Sequence, residues 1–476
     1  MTISSTTPET AAGSPTDTIA AISTPPGRGG IGIVRLSGPQ AASIAAELVS
    51  LRHPLEHAHA RLADVLDASE SSDSSARIDE ALVTFFAAPN SYTAEDIVEI
   101  AAHGSPVVLE LLLRRAIALG ARLAEPGEFT QRAFLAGRID LTQAEAVRDL
   151  IDAQTLTQAR QAASQMGGAL SRRAAPVKQS LVELIALLEA GIDFAEDDLD
   201  VTPQAEIARR IDALTPQLSA LEASFARGRI VHDGLTLAIV GRPNAGKSSL
   251  FNRLVERDRA IVTATPGTTR DLVTERISLD GIPLELVDTA GLREGPRGNL
   301  EEAEQLGIAR SREALADAAI VLIVLDATQP LNDEERTLLA AVEGRSALVA
   351  INKSDLVAAQ SPESELNALG VPGVATIATS ALTGQGIAVL RERIVTLATG
   401  GAAAEPDMLT NLRQHQSVST ALAALADAAK ANSTGIPHEM ILLDLYRALW
   451  ALDSLTGQTT PDDILNLIFS TFCIGK

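Results

Sequence analysis

One stretch of the chain has the residue types and spacing that bind nucleotide phosphates. Gly241, Gly246, Lys247 and Ser248 fit the pattern in which four residues separate a first glycine from a Gly-Lys-Ser run. Glycines let successive backbone N–H groups point at phosphate oxygens, and the helix that follows presents its positive end to the same anion. We expect Lys247 to reach the outer phosphates and the Ser248 hydroxyl to bind Mg²⁺.

Two motifs further along the chain suit the γ-phosphate and its metal ion. Thr268 and Thr269 lie in a segment that can fold over the nucleotide, where a threonine hydroxyl completes the Mg²⁺ shell. Asp288 ends an apolar run and can hold Mg²⁺ through water, and the Gly291 N–H can meet the γ-phosphate. These motifs indicate a triphosphate substrate.

Two more motifs select the base. Asn352, Lys353 and Asp355 follow an apolar run, and the Asp355 carboxylate can accept hydrogen bonds from guanine N1–H and its amino group. Adenine has no such donor pair, so the motif favours GTP over ATP. Ser380-Ala381-Leu382 can support the guanine carbonyl through backbone N–H groups. Five motifs in this order, four of them directly after a predicted strand, predict a GTP site.

None of these motifs identifies the group that orients the attacking water. Leu292 stands where Ras-like enzymes use a glutamine, so another group must do this work. Arg270 is a candidate for stabilising the transition state, although an exposed loop arginine is more often structural. A monovalent cation is the alternative, and Asn244 could supply its side-chain oxygen. The acids in the same segment are Glu294, Glu301, Glu302 and Glu304.

Composition restricts the class of protein. The 476 residues exceed one ordinary core, and 46% apolar with 21% charged residues is typical of a folded globular protein. The net charge of −22 argues against a broadly basic nucleic-acid surface. A single cysteine, Cys473, allows no intrachain disulfide, which predicts a reducing, cytoplasmic setting. No apolar run is long enough to span a bilayer.

The periodicity of the chain predicts several domains. Residues 18–135 alternate short strands and helices, as in an α+β domain. Residues 136–230 and 400–476 have helical periodicity, and we expect them to pack together as one all-α domain. Residues 233–398 alternate strands and helices, which predicts an inserted Ras-like α/β domain, and residues 1–17 predict a disordered tail.

Individual elements follow from the same patterns. Asp280-Gly281 predicts a hairpin turn between two strands of the inserted domain. The predicted strands of the inserted domain are 235–240, 275–279, 282–287, 319–325, 347–351 and 375–378. Elsewhere we predict strands at 31–36 and 81–87, and helices at 41–51, 107–121, 144–151, 177–190 and 205–226.

Four stretches of sequence carry a family resemblance. They are residues 25–35, residues 91–104, residues 126–146 and the terminal Phe472-Cys-Ile-Gly-Lys476. With these stretches the chain resembles the MnmE (TrmE) family of tRNA-modification GTPases. The resemblance implies a homodimer with an N-terminal tetrahydrofolate-binding and dimerisation domain, a helical domain and an inserted G domain. It also implies a heterotetramer with the flavoprotein MnmG.

The activity implied by the resemblance has two parts. One is hydrolysis of GTP with Mg²⁺ and K⁺. The other, with MnmG, is formation of an aminomethyl or carboxymethylaminomethyl group on the wobble uridine of certain tRNAs. A tetrahydrofolate derivative, in its 5-formyl or 5,10-methylene form, supplies the one-carbon unit.

The resemblance also assigns residues by position. It places K⁺ on Asn244, Thr263, Thr265 and Thr268, and Mg²⁺ on Ser248 and Thr269. The general base, acting through a water, would be Glu304, with Glu302 as a competitor because the preceding segment is longer than usual. Further nucleotide contacts are expected from Ala245, Ser249, Ala264, Pro266, Gly267, Thr289 and Ala290.

The folate site implied by the resemblance lies in the N-terminal domain. It would use Arg35, Glu99, Arg138 and Lys476, with residues 473–476 reaching toward it. A carboxylate suits the paired N–H donors of a pterin, and basic groups suit its glutamate tail. Arg138 stands where lysine is common in the family. We favour a buried structural role for Cys473 over a nucleophile, since no histidine is near it in sequence.

Two other functions fit part of the same sequence. A ribosome-assembly or signalling GTPase would share the nucleotide motifs, but it would more often carry a basic RNA-binding module, which this acidic chain lacks. A folate-dependent transferase with a regulatory G domain would share the N-terminal motifs. The flanking stretches favour the tRNA-modifying GTPase.

Overall fold

The computed structural model describes residues 17–66, 77–193, 202–255, 273–288, 318–356, 374–401, 405, 407–458 and 468–475. The chain divides into two compact units. The N-terminal unit comprises Met1–Arg148 with Thr456–Lys476, and the second unit comprises Asp149–Leu455. The predicted domain bounds are finer than this division and stay a prediction. Within the described ranges, no helix is long and apolar enough to cross a membrane.

The N-terminal unit contains a mixed β-sheet. Its strands are β1 (Ile19–Ile22), β2 (Gly29–Ser37), β3 (Val49–Ser50), β4 (Ala60–Leu66), β5 (Arg77–Phe86), β6 (Ile97–Gly104) and β7 (Arg122–Leu123). They are ordered β3-β4-β5-β6-β2-β1-β7, and only the β1–β7 pair is parallel in this described sheet. The sequence patterns predict neither β4 nor β6, because β4 is rich in Ala, Arg and Asp and β6 begins with two adjacent buried residues.

The two faces of this sheet differ. Helices α1 (Ala41–Leu48) and α2 (Pro106–Ala118) pack with Val34 and Ile100 in one core. Arg35 and Glu99, the next residue pair in the register of β2 and β6, therefore project from the opposite face. The sheet thus separates an apolar core from a polar pair that can meet a ligand.

Two local predictions for this unit need correction. Helix α1 was predicted to reach residue 51, but it ends at Leu48, because Val49 pairs with Val65 in the sheet. Asp17 was placed in the tail, yet its carboxylate bonds Arg122 Nε at 2.8 Å and Arg132 Nη2 at 2.6 Å. Asp17 is therefore part of the folded unit, whereas residues 1–16 lie outside the described residues.

The chain segments that precede and follow the inserted domain in sequence are mainly helical. They are α3 (Glu128–Leu135), α4 (Leu141–Asp152), α5 (Leu156–Met166), α6 (Ala169–Asp193), α7 (Gln204–Ala223), α8 (Phe225–Asp233), and, after the inserted domain, a later pair α12 (Leu412–Ser433) and α13 (His438–Thr456). Leucines of α6 and α7 share one core with α12 and α13, which confirms that the two helical segments pack together. The predicted helix 205–226 is broken at Ser224, whose hydroxyl donates to the Leu221 carbonyl.

The inserted domain is an α/β sheet of the Ras-like kind. Its strands are β8 (Leu235–Val240), β9 (Val273–Leu279), β10 (Ile282–Asp288), β11 (Ile320–Asp326), β12 (Ala347–Asn352) and β13 (Ala375–Ala378), with helices α9 (Lys247–Val255), α10 (Asp333–Ala341) and α11 (Ile387–Thr399). The strand order is β13-β12-β11-β8-β10-β9, and β9 is antiparallel to β10. The six predicted strands are confirmed to within two residues at each end. Asp280 (φ 49°) and Gly281 (φ 85°) form the predicted hairpin turn.

The outer end of this hairpin is held by the start of the helical region. The Thr155 hydroxyl donates to the Gly281 carbonyl at 2.7 Å, and the Gln158 amide donates to the His232 carbonyl at 2.7 Å. His232 Nε2 lies 3.1 Å from the buried Asp149 carboxylate. A hydrogen bond to that carboxylate raises the pKa of His232 to about 9.

The raised pKa of His232 predicts a pH-dependent stability. Because the folded pKa exceeds the ordinary value of 6.5, the ion pair stabilises fully below pH 6.5 and is lost as the pH rises through 9. We expect the free energy of unfolding to fall by about 1–3 kcal/mol between these values. Urea titrations at several pH values, with His232→Gln as the reference, measure this. An equal pH dependence in both proteins would contradict the assignment.

Candidate functional site

The predicted phosphate loop, residues 241–249, joins β8 to α9 at the carboxyl edge of the sheet. Gly241 has φ 146°, and a Cβ there would lie 2.3 Å from the Val324 carbonyl oxygen. Gly246 has φ 92°, and its Cβ would lie 2.2 Å from Asn352 Nδ2. Both glycines are required by close approach as well as by backbone conformation. Asn244 has φ 63° and is exposed.

Lys247 is already directed into this loop. Its ammonium donates to the carbonyls of Gly241 at 2.7 Å and Arg242 at 2.9 Å, and the residue is buried. A buried ammonium needs such partners, and phosphate oxygens would serve the same charge better. Ser248 and Ser249 are exposed at the first turn of α9. Lys247 and Ser248 therefore stand where the sequence analysis expected a phosphate and a Mg²⁺ ligand.

The guanine loop, residues 352–355, begins where β12 ends. The Asn352 amide donates to the Ala245 carbonyl at 3.0 Å and accepts from the Ala381 N–H at 3.0 Å. The buried side chain of Asn352 thus connects the guanine loop, to which it belongs, with the phosphate loop and with the run Ser380–Leu382. Asp355 is exposed in the short 3₁₀ turn Ser354–Leu356, so its carboxylate can meet a base.

The second base motif, Ser380–Leu382, is held from α9. Arg253 Nε donates to the Ala381 carbonyl at 3.0 Å, and its Nη2 donates to the Leu382 carbonyl at 2.7 Å. The Ser380 hydroxyl is buried and accepts from the Thr383 N–H. The Ala381 N–H, offered by the sequence analysis to the guanine carbonyl, donates here to Asn352 instead.

A part of the predicted nucleotide site lies outside the described residues. This applies to the segments that carry Thr268 and Gly291 and to the candidate general bases, and Asp288 is described only as the last residue of β10. The predicted residues concerned are Thr263, Ala264, Thr265, Pro266, Gly267, Thr268, Thr269, Thr289, Ala290, Gly291, Glu302 and Glu304.

The structure shows ionic anchors that the sequence analysis did not select. Asp326 ends β11 and accepts from Lys353 Nζ at 2.7 Å, and Arg242 lies 3.3 Å from the Glu335 carboxylate. Asp326 follows a buried strand in the same way as Asp288 and Asn352 do, so the rule that picked those two could have found it.

The second predicted site is in the N-terminal unit. Arg35 places Nε and Nη2 at 2.9 and 2.7 Å from the same Glu99 oxygen, Oε1. Its Nη1 donates to the Gly475 carbonyl at 3.2 Å. The terminal segment therefore reaches this ion pair. Lys476 lies outside the described residues.

Aromatic side chains border the same ion pair. The Arg35 guanidinium lies 5.6 Å from the centre of the buried Phe129 ring. The Tyr92 and Thr130 hydroxyls share a hydrogen bond of 2.9 Å. Burial raises the pKa of Tyr92, and this effect exceeds the lowering by the positive charges of Arg35 and Arg138. Arg138 is exposed. Tyr92 and Phe129 were not predicted as site residues.

The prediction of a buried Cys473 is wrong. Cys473 is exposed, whereas Phe472 is buried with Phe469 and Leu141 in a small core. The terminal segment turns here, since the Phe472 N–H donates to the Phe469 carbonyl, so Phe472 provides the anchor and Cys473 stays exposed. Gly475 lies so close to the Ile22 carbonyl that a Cβ would be 2.6 Å from its oxygen.

Comparison with known proteins decides the family. A family model described as the MnmE helical domain matches residues 141–473, and one described as the TrmE N-terminus matches residues 18–138. The tRNA modification GTPase MnmE of Koribacter versatilis is 57% identical over 465 residues, which cover 97% of this chain and 99% of that protein. The chain belongs to the MnmE family of tRNA modification GTPases.

A second relative agrees with this assignment. The MnmE protein of Roseiflexus castenholzii is 42% identical over 472 residues, with coverage of 97% of this chain and 99% of that protein. Among solved structures, the G domain of the FeoB iron transporter of T. maritima is 28% identical and covers 34% of this chain and 98% of its own, with a TM-score of 0.26. As an MnmE-family protein, the chain is a GTP hydrolase with an N-terminal TrmE domain, a helical domain and a Ras-like G domain.

Proposed function

We propose that this protein is a K⁺-dependent GTPase that acts with MnmG on the wobble uridine of certain tRNAs. The observation that supports the nucleotide half is the Asn352 side chain, which joins the phosphate loop to both base motifs. In the reaction, water attacks the γ-phosphorus, the bond to the β-bridging oxygen breaks, and GDP and phosphate leave. Lys247 stabilises the charge that develops on the phosphate oxygens.

The residues of the phosphate loop fit two metal ions. The exposed Ser248 hydroxyl would bind Mg²⁺, and the exposed Asn244 amide oxygen would bind K⁺. Thr269 would complete the first set of ligands, and Thr263, Thr265 and Thr268 the second. When bound, these cations neutralise the negative charge that builds up during phosphoryl transfer.

Cation dependence follows from this assignment. We expect GTP turnover to be about 10- to 100-fold faster in K⁺ than in Na⁺ at equal ionic strength, because a fixed positive charge replaces an arginine finger. Steady-state phosphate release in the two salts measures the effect, and Asn244→Ala should remove the difference. Equal wild-type rates in both salts would exclude a K⁺ site.

The general base can be located by mutation. Glu304→Ala should lower the turnover number by about 10²- to 10⁴-fold while nucleotide affinity is nearly kept, because a general base acts only in the chemical step. Glu302→Ala is the matched control two residues away. If only the Glu302 variant loses turnover, the assignment moves to Glu302. Single-turnover hydrolysis and binding of a fluorescent GDP separate the two effects.

The folate half of the proposal rests on the N-terminal ion pair. Glu99 suits the N–H donors of a pterin, and Arg35, Arg138 and Lys476 suit its carboxylate tail. The Gly475 carbonyl holds the guanidinium of Arg35 in place, so the chain end contributes to the geometry of the site. We propose a tetrahydrofolate derivative as the ligand, a homodimer as the state that binds it, and the cytoplasm as the location.

One genetic experiment tests the proposed function as a whole. Deletion of the gene should remove the modified wobble uridine from bulk tRNA, as measured by nucleoside mass spectrometry. The wild-type gene should restore it, and Asp288→Ala should not, because the variant cannot hold Mg²⁺. Unchanged tRNA in the deletion strain would contradict the proposal.

A further inference from the structure

Two carboxylates are buried beside the nucleotide site. Asp326 at the end of β11 is 5% exposed, and Glu335 in α10 is 1% exposed. Burial of a carboxylate is costly unless a cation and hydrogen bonds compensate it. Both acids therefore need partners, and these partners come from the two loops that bind the nucleotide.

Each loop provides one cation. Lys353 of the guanine loop donates to Asp326 Oδ2 at 2.7 Å. Arg242 of the phosphate loop has Nε 3.3 Å from Glu335 Oε1 and Nη2 4.0 Å from Asp326 Oδ2. Arg242 Nη2 and Glu335 Oε1 are buried without a hydrogen bond to any described residue, so charge attraction holds them. Two acids and two bases make a neutral group of four, which we term the ionic quartet.

The acids form the rigid side of the ionic quartet. Asp326 Oδ1 accepts from the backbone N–H and the hydroxyl of Thr328 at 2.9 and 2.7 Å. Burial raises the pKa of Asp326, but the hydrogen bonds from Lys353 and Thr328 outweigh it and hold the pKa below its ordinary value. Glu335 Oε2 accepts from the Asn332 N–H in the capping box that begins α10. Both carboxylates are thus fixed by backbone groups before a loop binds them.

The basic residues act directly on nucleotide-binding elements. The Arg242 carbonyl accepts from Lys247 Nζ, so the position of Arg242 bears on the phosphate-binding ammonium. Lys353 has φ 63°, a conformation that an L-residue adopts only when its surroundings impose it. Its bond to Asp326 stabilises this conformation and with it the turn that presents Asp355.

We propose that Asp326 is a positioning residue for guanine recognition, and that the ionic quartet fixes the separation between the phosphate loop and the guanine loop. Asp326 acts through Lys353 on the base end of the nucleotide, whereas Glu335 acts through Arg242 on the phosphate end. This inference rests on the proposed assignment of the nucleotide site. It predicts that the two acids affect different parts of substrate recognition.

Affinities for GTP, GDP and ITP in two variants test the division. Inosine lacks the 2-amino group that Asp355 reads, so the GTP-to-ITP preference reports the alignment of Asp355. Asp326→Asn should weaken GTP and GDP binding about tenfold and lower the GTP-to-ITP preference several-fold, with turnover at saturating GTP nearly kept. Glu335→Gln should weaken GTP and GDP binding with an unchanged GTP-to-ITP preference.

Controls separate positioning from stability. Asp333→Asn, an exposed acid at the start of α10, should change neither affinity nor preference. If Asp326→Asn does not fold, Thr328→Val removes one hydrogen bond to the same carboxylate and should shift the preference in the same direction. An unchanged preference in the Asp326 variant, or in the Thr328 variant where it must replace it, overturns the inference.

The nucleotide assignment itself has a separate readout. If Asp355→Asn changes base preference and Asp326→Asn does not, the positioning role is wrong and the GTP site stands. If neither substitution changes base preference, the proposed guanine site is wrong.

Discussion

Asp355→Asn is expected to turn this enzyme from a GTP-binding into an XTP-binding protein. In the proposed guanine site the carboxylate accepts from guanine N1–H and the 2-amino group, whereas an asparagine would accept at one position and donate at the other. Xanthine has a carbonyl in place of the amino group and so matches the amide. We expect GTP affinity to fall by about 10²- to 10⁴-fold, and XTP affinity to exceed the remaining GTP affinity. The reason is that a nucleotide whose base leaves a polar group of the site unpaired is strongly disfavoured.

Asp355→Ala is the control for this exchange. Alanine removes the acceptor without supplying a donor, so GTP binding should fall and XTP binding should not rise. Competition binding with GTP, XTP and ITP gives the base preference of the wild type and of the two Asp355 variants. The surface position of Asp355 in its 3₁₀ turn leaves little reason for a change in folding stability. Unchanged base preference in the asparagine variant would reject the guanine site.

The strands and loops that carry the proposed nucleotide site were largely predictable, because the proposed site residues follow the strands. Apolar runs predicted β8, β10 and β12, and the residues that follow such runs meet at one edge of a parallel sheet. The turn at Asp280 and Gly281 was predictable for a similar local reason, since both residues adopt positive φ. A short stretch of sequence was therefore sufficient to predict the features that depend only on the backbone conformation of neighbouring residues.

Contacts between distant segments were not predictable from periodicity. Arg35 meets Gly475 across 440 positions, and only the family resemblance suggested that approach. The ionic quartet escaped notice because an arginine in a glycine loop and a glutamate in a helix each resemble an ordinary surface charge. Their burial depends on packing of α10 against β11, which no window of sequence contains. The prediction that Cys473 is buried was wrong because it was made from residue type alone, whereas burial depends on contacts with distant segments.

Gly246→Ala is expected to abolish tight nucleotide binding while the helical region stays folded. The new Cβ would lie 2.2 Å from Asn352 Nδ2, which donates to the Ala245 carbonyl and whose amide oxygen accepts from Ala381. The substitution therefore strains the phosphate loop and separates it from both base motifs at once. Positive φ at this position adds strain of about 1–3 kcal/mol, so affinity for GTP and GDP should fall about 100-fold or more.

Gly344→Ala is the matched control, because Gly344 also has positive φ, at 76°, but a Cβ there meets nothing within 4 Å. Both variants carry the backbone strain, and only Gly246→Ala has the contact with Asn352. Gly344 lies outside the phosphate loop, so the difference in nucleotide affinity between them, measured by calorimetry, gives the effect of a strained alanine within that loop. Similar affinities in the two variants would mean that Asn352 adapts to the new methyl group, and the link through its side chain would then contribute little to binding.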